Sequence, residues 1–154
     1  MTIWGKHYAT SFAVNRMIDR FVDTSGWAAW ADRHEQFHAQ ATQAVDDTWR
    51  QGGRVVTTNW VLVELSALLT RPLRLPKPRQ IQLLRDIRSD PGVTVVAVDA
   101  PLESLAWQLW EARTDKDWTL TDCASFVVMQ QRQLTEAITA DHHFEQAGFL
   151  RILK

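Results

Sequence analysis

The sequence predicts an α/β domain built on a mainly parallel central sheet. Short β-branched apolar runs recur along it, with Val93-Thr-Val-Val-Ala-Val98 the clearest. Between most of them lie helical patterns of about ten residues or more, too long for hairpins, so successive strands need crossover connections. The 154 residues suit one domain with a real core.

Residues 1–16 lack clear periodicity and read as an N-terminal extension, leaving 17–154 as a single domain. Met17-Ile-Asp-Arg-Phe-Val-Asp23 reads as a short strand ending at an acid. Ser25-Gly-Trp-Ala-Ala-Trp-Ala opens a helix, and a second runs roughly from Glu35 to Gln51, ended by Gly52-Gly53. Val55-Val-Thr-Thr is a short buried strand. Asn59 then caps a helix over Trp60–Leu69, which Pro72 stops. After a Pro-rich link come a helix over Gln80–Arg88 and the Val93–Val98 strand. A helix from Pro101 to about Thr114 follows, with proline in its first turn. Asp122–Gln131 is helical, Glu136–Ala140 is a strand, and Phe149–Ile152 is a last short strand.

Composition narrows the function classes. Hydrophobic residues make up 45% and charged ones 23%, as in a folded globular protein, and the formal net charge of −1 gives no global field for nucleic acid or membrane. A single cysteine excludes a disulfide framework and fits a reducing cytoplasm. No apolar run approaches the roughly 18 residues of a membrane helix, so no membrane partner is expected. Eight tryptophans imply a ring-rich core or an interface.

In parallel sheets, ligands bind outside the carboxyl ends of the strands. Asp23 ends the first strand, Asp141 follows the Glu136–Ala140 strand, and Asp122 opens a helix. Glu64 stands inside the apolar helix Trp60-Val-Leu-Val-Glu-Leu, where a carboxylate is costly unless paired or bound to a cation. Each aspartate also has an ordinary reading as a helix-terminal cap. If the four converge, their mutual repulsion calls for a hard divalent cation, Mg²⁺ or Mn²⁺, and such a centre suits phosphodiester hydrolysis.

The motifs Phe21-Val-Asp-Thr-Ser-Gly-Trp27, Asn59-Trp-Val-Leu-Val-Glu-Leu65, Trp118-Thr-Leu-Thr-Asp-Cys-Ala-Ser-Phe126 and Thr139-Ala-Asp-His-His-Phe144 occur in this order. Together they resemble the PIN-domain ribonucleases, especially the VapC-type toxins of bacterial toxin–antitoxin pairs, from about residue 17 to the end. The resemblance implies a three-layer α/β/α domain and a Mg²⁺-dependent endoribonuclease acting as a type II toxin, using metal-activated water. It maps Asp23, Glu64, Asp122 and Asp141 onto the family's acidic cluster, with Asp23 and Asp122 as metal ligands. Thr24, Thr121 and Ser125 would orient carboxylates or water. Expected partners are an RNA substrate, a small cognate antitoxin and a second copy of the chain. Family members usually carry the first aspartate close to the N-terminus, so Met17 would be a natural start. The alternative reading is a docking module for RNA or protein that keeps the acids without cleaving.

Four features compete for attention. His34-Glu-Gln-Phe-His38 matches the H-E-x-x-H zinc peptidase pattern, which needs both histidines on one helix face and a third ligand, for which Glu64 could serve. That reading leaves the strand-end aspartates idle, so a chance match is favoured. Arg71-Pro-Leu-Arg-Leu-Pro-Lys-Pro-Arg79 is either an RNA-backbone contact or a solvated loop. His142-His143 read as polar residues of a short helix, with contact to substrate phosphate or a metal as the alternative. Trp107 and Trp110 share a helix face and read as core, with a dimer or partner interface as the runner-up. Cys123 reads as a small buried residue rather than a nucleophile.

Overall fold

A computed structural model describes residues 17–154; the 1–16 extension lies outside the described residues. Five parallel strands form one sheet: β1 (Arg20–Val22), β2 (Val55–Thr58), β3 (Val93–Val96), β4 (Glu136–Ile138) and β5 (Leu150–Arg151). Their order is β3-β2-β1-β4-β5. Helices α1 (Thr24–Ala31) and α2 (His38–Arg50) link β1 to β2, and α3 (Asn59–Thr70) and α4 (Lys77–Ser89) link β2 to β3. The return to β4, on the far side of β1, uses α5 (Ala100–Ala112) and α6 (Leu120–Gln131); α7 (His143–Gln146) leads to β5. This is the expected three-layer arrangement, and the sheet is wholly parallel.

Adjacent strand residues point to opposite faces, and β1 shows both layers at once. Phe21 and Val22 are fully buried. The Phe21 ring meets Phe144 of α7 at 6.0 Å between centroids, within an aromatic group completed by Phe126, Trp118 and Phe149. Val22 faces α1 instead, where Gly26 lets the helix start against the sheet. A Cβ on Gly26 would lie 2.0 Å from the Ile138 carbonyl oxygen and 2.9 Å from Val22 Cγ1. The first obstacle is backbone and cannot swing away. Gly26→Ala is therefore expected to cost about 3 kcal/mol, read as a lower urea midpoint at unchanged m.

On the same face, Trp27 Nε1 donates to Thr57 Oγ1 at 3.2 Å, and Thr57 Oγ1 donates to the Val22 carbonyl at 2.8 Å. This buried relay ties α1, β2 and β1 together, satisfying polar groups that would otherwise be stranded in the core.

Several element ends differ from expectation. The first strand shrinks to Arg20–Val22. Thr58, not Asn59, caps α3: its hydroxyl accepts from Val61 N–H at 3.1 Å, while Asn59 Oδ1 accepts from Val98 N–H at 2.7 Å and pins the exit of β3. Helix α4 starts earlier than expected, at Lys77, because Pro76 and Pro78 suit a first turn that needs no N–H. Trp107 and Trp110 are 41% and 42% exposed, so they are not the core pair their spacing implied. Trp110 Nε1 donates to the Trp118 carbonyl at 3.0 Å, fastening α5 to the loop before α6.

Candidate metal centre

Chain direction across the sheet reverses beside β1: β2 and β3 lie on one side, β4 and β5 on the other. At such a switch point the connections diverge and leave a crevice at the carboxyl ends of the strands. Val22 pairs with Ile138, so the next residues of the two strands, Asp23 and Thr139, meet at its floor. Thr139 Oγ1 donates to Asp23 Oδ2 at 2.7 Å. The other carboxylate oxygen, Oδ1, accepts from Ser25 Oγ at 2.8 Å and from Gly26 N–H at 2.9 Å, so Asp23 also caps α1.

The same two hydroxyls hold the start of the segment after β4. Thr139 Oγ1 accepts from Asp141 N–H, and Ser25 Oγ accepts from Ala140 N–H, both at 2.9 Å. Asp23 and Asp141 are thus positioned through shared partners. Asp122 arrives from α6, whose N-terminus is a capping box: Asp122 N–H donates to Thr119 Oγ1, and Asp122 Oδ2 accepts from Thr119 N–H, each at 3.0 Å. His143 lies between the two remaining acids, its Nδ1 3.2 Å from Asp122 Oδ2 and 3.4 Å from Asp141 Oδ1. Its backbone N–H donates to Asp141 Oδ1 at 2.9 Å.

Burial makes these charges expensive. Asp23 is 7% exposed, and desolvation, with a weaker repulsion from Asp141, lifts its pKa to about 7 against the opposing pull of three hydrogen-bond donors, Thr139, Gly26 and Ser25. Asp122 is shifted upward as well, first by burial and then by the Asp141 charge, against the Thr119 and His143 contacts. Buried Asp23 with the partly buried Asp122 and Asp141 offers the carboxylate oxygens that Mg²⁺ or Mn²⁺ binds, and the His143 ring nitrogen lies beside them. The donor set fits such an ion, with Asp23 and Asp122 as the residues that would hold it.

Glu64 is carried by α3 and makes no side-chain hydrogen bond or ion pair with these acids. The buried side of α3 is Val61, Leu62, Leu65 and Leu69, and Glu64 is exposed at its flank, next to an exposed Val63. The carboxylate is therefore not the buried charge that the apolar run suggested, and none of the contacts above reaches it. The expected orienting residues also change. Ser125 Oγ donates to the Thr121 carbonyl at 2.9 Å, within its own helix, and neither Thr24 nor Thr121 makes a recorded side-chain hydrogen bond to the acids. Ser25, Thr139 and His143 do that work. Sequence signals for them existed, since Ser25 follows Asp23 by two and Thr139 precedes Asp141 by two, but their meeting depends on β1 lying beside β4.

The zinc pattern fails on geometry. Residues 33–37 form turns, with Asp32 Oδ1 accepting from His34 N–H at 2.9 Å, and α2 begins only at His38. His34 and His38 therefore share no helix face, and His38 Nδ1 sits 2.8 Å from the Ala29 carbonyl instead. Cys123 is fully buried, and burial pushes its thiol up to about 11, which leaves no thiolate nucleophile at neutral pH.

The PIN domain family matches residues 20–150. Two curated proteins, both the 23S rRNA-specific endonuclease VapC20 from strains of Mycobacterium tuberculosis, are 32% identical over 133 residues, covering 86% of this chain and 96% of the relative. The crystal structure of M. tuberculosis VapC20, described as a sarcin–ricin loop cleaving toxin, superposes with a TM-score of 0.75 at 31% identity, over 87% of this chain and 98% of that one. FitAcB from Neisseria gonorrhoeae superposes at 0.61 with 14% identity, over 87% and 96% of the two chains, a likeness of fold alone.

Proposed function

The chain belongs to the PIN domain family, and on that premise we propose that it is a Mg²⁺-dependent endoribonuclease, the toxin of a type II toxin–antitoxin pair. The observation that carries the reading is the joining of Asp23, Asp141 and Asp122 through Thr139, Ser25 and His143 at the switch point of the sheet. A bound Mg²⁺ or Mn²⁺ would supply Lewis acidity toward the phosphate and a more acidic water. The chain's own residues do the positioning. Thr139 and Ser25 fix both oxygens of Asp23, leaving its remaining lone pairs a defined direction. His143 keeps Asp122 and Asp141 at a set separation. Cys123, buried and protonated, is not available as a nucleophile, and the proposed attack on the phosphate is by water.

The relatives act on 23S rRNA, and a hairpin bearing its sarcin–ricin loop is the substrate we assign first. The antitoxin partner, the homodimer and a cytoplasmic site of action belong to the same proposal. No helix among the described residues is long and apolar enough to cross a membrane. In the test, the full chain is incubated with the labelled hairpin. Cleavage is expected with Mg²⁺ or Mn²⁺, is lost on adding EDTA, and returns with excess Mn²⁺. Tight binding without cleavage at any metal concentration would favour the docking-module reading instead.

A further inference from the structure

Two sequence features left idle by the metal centre, Arg33–His38 and Arg71–Arg79, are about 40 residues apart in the chain yet line one cleft of ≈ 740 Å³. Its walls include Trp30, Arg33, His38, Arg74 and Arg79, between the turn after α1 and the loop joining α3 to α4. Among the described residues, none of these three arginines forms an ion pair. The acid on the rim, Asp32, has one oxygen engaged by His34 N–H. We propose that this cleft binds the phosphate backbone of the RNA substrate, away from the scissile bond, through Arg33, Arg74 and Arg79.

Three observations support this occupant. The three arginines outnumber the one acid on the rim and none is ion-paired, Arg33 Nε donating only to the neighbouring His34 ring at 3.4 Å. Phosphate contacts need positive charge in reach rather than a particular fold. The loop is built rather than loose. Gln80, 5% exposed, donates to the Leu75 carbonyl at 2.8 Å and accepts from Thr70 Oγ1 at 3.2 Å, and Leu75 N–H donates to the Leu69 carbonyl at 2.9 Å. Within that braced loop Arg74 is held at φ 52°, a left-handed conformation that a glycine would adopt more cheaply. The third is position: Asp23 caps the start of α1 and Trp30 lies near its end, so the length of that helix, about 12 Å, separates the Trp30 wall of the cleft from Asp23, within reach of one RNA strand. Trp30, partly exposed and packed edge-on against Trp27 at 5.5 Å, offers a ring beside the arginines on which a base can stack.

This assignment rests on the nuclease reading, and its test keeps the two separate. Binding of a fluorescein-labelled hairpin RNA is measured against salt in the cleavage-silenced Asp122→Asn chain. Added to that background are either Arg33→Gln/Arg74→Gln/Arg79→Gln or a control set outside the cleft, Arg85→Gln/Lys116→Gln/Arg132→Gln. The cleft set should lower the slope of log K against log salt by about 2 and affinity near physiological salt on the order of tenfold. The control set should do neither. Arg79→Glu alone guards against misfolding: at an unchanged melting temperature it should weaken binding in the same direction. Equal slopes for the cleft and control sets would overturn the proposal. An unchanged RNA slope with loss of polyglutamate binding would also overturn it, giving the cleft to an acidic protein segment. The nuclease reading fails on a different result, an otherwise unaltered chain that binds the RNA with the full salt slope and never cleaves it with Mn²⁺.

Discussion

Asp122→Asn is expected to abolish RNA cleavage while leaving the protein as stable as before, or more so. The substitution keeps the shape of the side chain and an oxygen that can still accept from Thr119 N–H, so the capping box survives. It removes a charge that burial and Asp141 both disfavour. Without metal, the melting temperature should therefore hold or rise. Cleavage should fall on the order of a hundredfold or more, because a ligand for the ion is lost. A purely helix-terminal aspartate predicts the reverse: a loss of about 0.5 kcal/mol of dipole interaction and unchanged activity. A melt and a cleavage assay on the two proteins separate these outcomes.

Asp23 should make the metal-free protein less stable as pH rises toward neutrality. Its folded-state pKa of about 7 lies above the ordinary 3.8, so the folded chain holds this proton more tightly than the unfolded chain does. The resulting stability is fully present below about pH 4 and is lost as pH climbs through 7, by up to about 4 kcal/mol if the whole shift is realised. A divalent cation takes the proton's place, so the melting-temperature gain from Mn²⁺ should be small at pH 5.5 and much larger at pH 8. In Asp23→Asn, the metal-free pH slope should flatten and stability at pH 8 should exceed that of the unsubstituted protein. Thr139 can accommodate the change, since its hydroxyl can turn to accept from the new amide. An identical slope in the variant would assign the titration to another group.

Much of this arrangement was legible in the sequence because strand ends announce themselves. An apolar run that stops at an aspartate, as at Phe21-Val-Asp23, states both the strand and the edge of the sheet where ligands bind. Asp141 was readable the same way after the Glu136–Ala140 strand, and Asp122 as the acid at the start of a helix. The residues holding them together were not. Thr139 and Asp23 are 116 positions apart, and only the placement of β4 beside β1 makes them neighbours. Helix boundaries failed where two residues competed for one role. Thr58 and Asn59 can both cap a helix, and the free Val98 N–H claimed Asn59. The histidine pair failed for a related reason. Spacing of i and i+4 means a shared face only where the chain is helical, and Asp32 closes a turn under His34 instead. Glu64 shows the limit of reading burial from composition: its neighbours are apolar, yet the helix turns it to the flank of the buried stripe.

The central claim is that these aspartates are assembled to hold a cation, and calorimetric titration of Mn²⁺ at pH 7.5 tests it most directly. The unsubstituted protein should bind Mn²⁺ with release of protons from the acidic cluster, and Asp122→Asn should bind it on the order of a hundredfold more weakly. Equal affinity and equal proton release in the two proteins would contradict the account, leaving Asp122 as a helix cap and the acids without a metal.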